Sequence, residues 1–147
     1  MSPPEDYTYV DRSLAKNDQE AREYHAKNIL SDYYLMSSNA FTADGQLINI
    51  DGNGNRVSCL CFGPKHVIIV VSMNKMCADV EDAYRRIRQD ACPPNALRLN
   101  LDTPCAKTGY CAECTSTSSI CASFVTTRMS RYPGRIKVIL VGEPLGF

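Results

Sequence analysis

The stretch His66-Val-Ile-Ile-Val-Val-Ser72 constrains this chain more than any other segment. A near-continuous aliphatic run of this length, closed off by Gly63-Pro64-Lys65 before it, reads as a strand buried on both faces. It is far too short to cross a bilayer. Helical spacing follows at once: Val80, Ala83, Tyr84, Ile87 and Ala91 fall on one face of a helix expected over 78–91, with Pro93-Pro94 stopping it. A buried strand that feeds an amphipathic helix belongs to α/β architecture.

The rest of the chain fits that frame. A polar, Pro-containing arm is expected over 1–12, and a single α/β domain over 13–147. Asp18 can cap a helix whose rough apolar face is Ala21, Tyr24, Ile29 and Leu30. Tyr33–Met36 and Gln46–Ile50 read as strands, and Arg56–Phe62 as a strand returning after the Gly/Asn turn 51–55. Ala122–Arg128 and Arg135–Val141 read as two strands joined by Tyr132-Pro133-Gly134. Hairpins around 46–72 and 124–141 would make the sheet mixed. The expected fold is therefore a three-layer α/β sandwich with one mixed sheet.

Charge excludes some functions. Lys plus Arg equals Asp plus Glu, 16 of each, so clustered positive charge for nucleic acid or a membrane surface is not expected. The opening MSPPEDYTYV has no basic region followed by an apolar run, so a cytoplasmic protein with no membrane span is the expectation.

Eight cysteines are well above ordinary usage for 147 residues. Four of them fall in one irregular segment, 103–121: Cys105, Cys111, Cys114 and Cys121, spaced C-x5-C-x2-C-x6-C. A CxxC pair lets the chain fold back so that two thiolates reach one metal, and the flanking pair can complete a tetrahedral sulfur shell. Buried thiols, or a redox CxxC pair with two spare cysteines, are the simpler readings. Zinc knuckles usually carry Gly after the second Cys, whereas Thr115 follows Cys114. The hydroxyls of 116–119 can donate to cluster sulfurs, so a [4Fe–4S] cluster is preferred and zinc is the alternative. Cys59 and Cys61, two apart on the expected strand, would share a face, and Cys77 and Cys92 flank a helix; all four read as small buried hydrophobes.

Polar residues at strand ends mark a second candidate site. Ser37-Ser38-Asn39, Asn74-Lys75 and Gly142-Glu143 each follow a strand, and converge only if those strands are parallel neighbours. Lys75 precedes a helix N-terminus, where an anion is favoured. Asp51-Gly-Asn53-Gly-Asn55-Arg56 is richer than a tight turn requires, and Arg56 can hold a carboxylate or phosphate through its planar fork. The candidate ligand residues are Asn39, Asp51, Asn53, Asn55, Arg56, Asn74, Lys75 and Glu143. Capping and an Arg56–Asp51 pair are the plainer explanation. His25 and His66 lack partners at useful spacing and read as structural.

Together these pieces resemble a known family. The run from Asn39 through Gly45-Gln-Leu-Ile-Asn-Ile-Asp51 to Val57 is similar to the signature of the lactate-utilisation (LUD) domain family, as are Gly63-Pro64-Lys65, the strand ending Asn74-Lys75, Thr103-Pro-Cys-Ala-Lys-Thr-Gly109 with its cysteines, and Val138–Phe147. The resemblance covers almost everything from Tyr9 onward. It implies a fold like the ribose-phosphate isomerase and CoA-transferase group. It also implies a metal-binding, iron–sulfur component of lactate or other 2-hydroxy-acid oxidation, working with redox partner subunits. The four-cysteine loop resembles a branch found in anaerobes. Members usually begin with a helix, a strand and a Gly/Ser-containing loop, used for anions by fold relatives, and this chain is expected to lack that portion. Two other functions stay open: a small organic-anion-binding module with structural zinc, and an assembly subunit that docks through its cysteine loop. Homo-oligomerisation is open under each.

Overall fold

The computed structural model describes residues 7–147, and of the arm expected over 1–12 the first six positions lie outside the described residues. Asp11 caps a short 3-10 turn, Arg12–Leu14, which leads into α1, Asp18–Ile29. The cap of α1 is Asn17 rather than Asp18: Asn17 Oδ1 accepts from Glu20 N at 2.9 Å, and Glu20 reaches back to Lys16 N at 2.8 Å.

Two sheets replace the single mixed sheet expected. The first contains β1 (Tyr33–Met36), β4 (His66–Ser72) and β7 (Ile136–Val141), all parallel with β4 in the centre. The second has the order β5 (Met76–Cys77), β2 (Ala40–Thr42), β3 (Leu47–Asp51), β6 (Ser123–Thr127), with β2–β5 parallel and both pairings of β3 antiparallel. Neither expected hairpin forms as drawn. The chain steps from the first sheet to the second after β1 and after β4, and returns between β3 and β4 and between β6 and β7.

The segment expected as a returning strand over Arg56–Phe62 is helical up to Cys61, and Phe62 is extended. Asp51 Oδ1 accepts from the N–H groups of Asn53 and Gly54 at 3.1 and 2.9 Å, and Gly54 turns at φ 74° to start α2, Asn55–Cys61. Its apolar side chains Val57 and Leu60 are three apart and both buried, a helical spacing that also reads as a strand in so short a run. Cys59 is buried while Cys61 is exposed, so the two do not share a face.

The helix expected over 78–91 is longer and interrupted. α3 covers Val80–Arg86, a π turn covers Ile87–Ala91, and α4 covers Cys92–Arg98. Pro93-Pro94 opens α4 instead of stopping the helix. In a first turn the missing N–H groups would lack partners anyway. The widened turn is closed by Cys92 N donating to Ile87 O. A short α5, Pro104–Thr108, follows, capped by Thr103.

The strands buried on both faces are β2 and β3, every residue of which is buried. Ile48 and Ile50 pack with Ala83, Ile87 and Ala91 of the helical layer. Leu47 joins Phe41 and Leu60 against Val67, Ile69 and Val71 of the first sheet. The aliphatic run of β4 buries that one face, while Val70 on the other is 37 % exposed. The result is a mixed α/β molecule with two sheets, one parallel and one mixed, the second sheet packing on α3 and the π turn through one set of side chains and on the first sheet and α2 through the other. Among the described residues no helix is long and apolar enough to cross a membrane.

Candidate functional site

Because β1, β4 and β7 are parallel neighbours, their polar ends do meet at one edge. Ser72 Oγ donates to the main-chain carbonyl of Glu143 at 2.7 Å and accepts from Leu145 N at 3.1 Å. A cavity of about 500 Å³ opens beside this edge. Six of the eight expected ligand residues line it: Asn39, Asp51, Asn53, Asn55, Arg56 and Lys75. The other two do not. Asn74 lies against the Ser72 hydroxyl and faces a separate hollow with Arg86, and Glu143 is exposed, tied in through its main chain.

Arg56 has a different role from the one its position suggests. Nη1 donates to Asn49 Oδ1 at 2.6 Å and to Ser37 O at 3.2 Å; Nη2 donates to Asn39 Oδ1 at 2.8 Å and to Ile50 O at 3.0 Å. Nε faces Asp51 Oδ2 at 3.6 Å. The whole guanidinium is therefore spent on tying the β1–β2 crossover to β3 and α2, and its fork is not offered to a ligand. Burial pulls its pKa down, and the Asp51 charge opposes that shift. Asn49, fully buried, completes the knot by donating to Ser38 Oγ at 3.1 Å. Its place between Ile48 and Ile50 reads as an ordinary inward strand position, so no sequence signal marked it.

Lys75 is the contrasting case. It is 7 % exposed, borders the cavity, and its Nζ makes no hydrogen bond or ion pair among the described residues. Burial lowers its pKa, and the neighbouring cations Arg86 and Arg56 lower it further. Arg12 and Arg98 add positive charge to the rim, Arg98 being held by Asn95 Oδ1 at 2.8 Å. Neither arginine lies in a motif, and only the tertiary fold brings them to the cavity.

A second cavity, of about 200 Å³, lies next to the first. All four clustered cysteines line it, together with Cys92. Cys105 stands on α5, where Thr103 Oγ1 lies 3.4 Å from its sulfur. Cys111 and Cys114 lie on irregular chain, with Glu113 between them at φ 52°. Arg88, from the π turn, pairs with Glu113, and its hydrogen bonds to Cys111 and Glu113 raise its pKa.

Cys121 Sγ donates to Cys92 Sγ at 3.5 Å. When this pair loses a proton the bond reverses. Stabilised by Cys92 as donor, then by Ser119 and the Arg88 charge, Cys121 is lowered to about 7, whereas Cys92 is raised. All eight cysteines are free thiols. Among the described residues no three His, Cys, Asp or Glu side chains are set to hold a metal ion, so the four sulfurs border one cavity without forming a closed shell. The donor set nonetheless has the right chemistry for a sulfur-ligated centre: five thiols, an arginine to offset thiolate charge, and hydroxyls to donate to sulfur.

Cys92 and Ile120 line both cavities, so one thin wall separates them. Gly52 makes that wall possible. A Cβ on Gly52 would stand 3.2 Å from Ile120 Cα, closer than main-chain packing ordinarily allows. No curated protein and no solved structure matches the chain. The LUD domain family does, over residues 5–141, and the chain belongs to that family.

Proposed function

We propose that the protein is a component of lactate or other 2-hydroxy-acid oxidation, holding the organic anion in the cationic cavity beside a sulfur-ligated metal centre. Membership of the LUD domain family supports the first part. The observation that carries the reading is the shared wall: Cys92 and Ile120 bound both the cavity that collects Lys75, Arg12 and Arg98 and the cavity that collects the thiols. An anion in the first would lie next to a centre in the second. Cys105, Cys111, Cys114 and Cys121 would hold the centre, a [4Fe–4S] cluster in first place and zinc as the alternative. When bound, such a cluster supplies one-electron transfer.

The chain's own residues do the rest. Lys75 and the rim arginines attract and orient the anion, the Arg56 knot keeps the strand ends rigid, and Arg88 offsets negative charge on the sulfurs. Oxidation of a 2-hydroxy acid to a 2-oxo acid releases two electrons and two protons, so redox partner subunits that accept the electrons are part of the proposal. Eight free thiols fit a reducing compartment such as the cytoplasm. The test is anaerobic purification followed by iron, zinc and acid-labile sulfide analysis and a visible spectrum. Iron and sulfide in equal amounts with broad visible absorption are expected. A colourless zinc protein would remove the electron-transfer role and leave an anion-binding module with structural zinc.

A further inference from the structure

The first sheet ends on β7, and that edge is open. Arg135 O accepts from Val67 N at 2.8 Å, so the main-chain groups of 135, 137, 139 and 141 face β4. The N–H and C=O groups of Ile136, Val138 and Leu140 therefore point away from the sheet, and none of them makes a hydrogen bond among the described residues. Val138, Ile139 and Leu140 are 45, 51 and 54 % exposed, so apolar side chains stand bare on both faces of the strand. Strands of parallel sheets are normally covered, and a long apolar edge is a template for another strand. The opposite edge differs: beside β1, residues 7–12 line a hollow together with residues 33–37. Charges flank the open stretch. Lys137 and Glu143 are both exposed, and neither has an ion-pair partner among the described residues. Glu143 keeps the alternation of β7, since its carbonyl accepts from Ser72 Oγ of β4 at 2.7 Å.

We propose that two copies of this chain pair through β7, antiparallel about a two-fold axis at Ile139, to form one continuous six-stranded sheet. A two-fold contact is the commonest way for an identical surface to satisfy itself. In antiparallel pairing, outward-facing residues must meet outward-facing residues. Val138 then meets Leu140 of the second copy and exchanges both hydrogen bonds with it, and Ile136 meets Gly142. The same register sets Lys137 opposite Val141 of the second copy, with Glu143 on the diagonal, within reach of a long side chain. Each Lys137 thus gains an acidic partner. The neighbouring registers are worse. An axis at Val138 would put the two Lys137 side chains on each other's diagonal, and one at Leu140 would bring Pro144, which has no N–H, opposite Ile136. The strand edge and its few apolar side chains make a small contact, so a weak dimer is expected, with less than roughly 1,200 Å² buried in total and a Kd on the order of 1–100 μM.

The test is sedimentation equilibrium of the full chain across about 1–500 μM, with residue-resolved amide exchange at both ends of that range. A monomer–dimer equilibrium is expected. The Val138 and Leu140 amides should exchange at least about tenfold more slowly in the dimer than in the monomer, while those of Lys137 and Ile139, which already bond to β4, change little. Lys137→Glu alone should weaken the dimer at least about fivefold, as should Glu143→Lys alone, and the doubly reversed chain should dimerise like wild type. The exchange comparison needs no substitution, so misfolding of a variant cannot decide the matter. A chain that stays monomeric throughout, or assemblies that grow past the dimer, would overturn the inference. So would a dimer in which Val138 and Leu140 stay unprotected, and its weakening by Leu35→Lys would move the interface to the outer face of the sheet, where Tyr33 and Leu35 are exposed. Single reversals without effect, or a double reversal that restores nothing, would overturn the register at Ile139.

Discussion

The two cavities share a wall but are built in opposite ways. The cationic one lies at the ends of strands, and its frame is rigid: Arg56 alone makes four hydrogen bonds and one ion pair to groups on β1–β2, β3 and the following turn. The thiol one is built mostly from irregular chain between α5 and β6, with Arg88–Glu113 and Cys92–Cys121 among the contacts that tie it to the helical layer. The lesson is that a frame tied by an internal charge and a gathered but unclosed set of thiol donors can sit side by side. The first site is shaped before any ligand arrives, whereas the second has its donors gathered but not closed.

The strongest way to break this contrast is Arg56→Ala. It strands Asp51, Asn39 and Asn49 and two main-chain carbonyls, so a loss of about 3–5 kcal/mol is expected in urea unfolding. Arg56→Lys should recover only part of it, because an ammonium cannot span the four acceptors. A loss under about 1 kcal/mol for Arg56→Ala would show that the cationic frame is no more rigid than the thiol segment.

Lys75→Met should act in the opposite direction. It removes a largely buried cation whose Nζ has no acceptor among the described residues, and the ligand-free protein should gain roughly 1–2 kcal/mol at neutral pH. The sign with pH follows from its lowered pKa. The folded state binds fewer protons at Lys75 than the unfolded state, so stability rises with pH through the interval between the two values, the upper one being about 10.4. The advantage of Lys75→Met should therefore be full below the folded pKa and shrink as pH climbs toward that upper value. An advantage that grows with pH would contradict the assignment.

Gly52→Ala tests the wall. The added methyl meets Ile120 Cα at 3.2 Å, so the backbone at 120 must give by a few tenths of an ångström, at a cost of about 1 kcal/mol. Both cavities should respond, seen as faster alkylation of Cys121 and as weaker acid binding. A change in only one of them would show that the wall does not couple them.

The smallest global effect is expected from Cys114→Ser in metal-loaded protein. If the proposed centre orders 103–121, hydrogen exchange there should quicken at least about tenfold in the variant while the β4 amides around Val67–Val71 stay protected. Unchanged exchange in the segment would sever metal binding from its folding.

Much of the fold was legible in the sequence. The strands Tyr33–Met36, Leu47–Asp51, His66–Ser72 and Ile136–Val141 follow apolar runs bounded by turn residues, and α1 and α3 follow helical spacing. Arg56–Phe62 was not legible. Seven residues carrying Val57, Cys59 and Leu60 satisfy either period, and the decision fell to Gly54 and the Asp51 cap. Pro93-Pro94 was read as a stop because proline ends a helix from the inside but opens one from its first turn, and spacing alone does not say which helix it belongs to.

What the sequence determined by itself is local. Four thiols fall in the single segment 105–121, a clustering of donors that the sequence sets by itself, and in the fold they border one cavity. The Gly/Asn turn after β3 and the apolar runs of the strands are local in the same sense. What only the tertiary structure decided is every relation across the chain: that β1, β4 and β7 run parallel so that their ends meet, that Arg56 is consumed by Asn39 and Asn49 while Lys75 is left without a partner, that Arg12 and Arg98 reach the same cavity, and that Cys92 joins the four clustered cysteines and forms the wall with Ile120. The reason is physical. Spacing governs which side chains share a face within one element, whereas strand order and packing set which acceptors a buried charge meets, and these depend on apolar contacts between segments far apart in sequence.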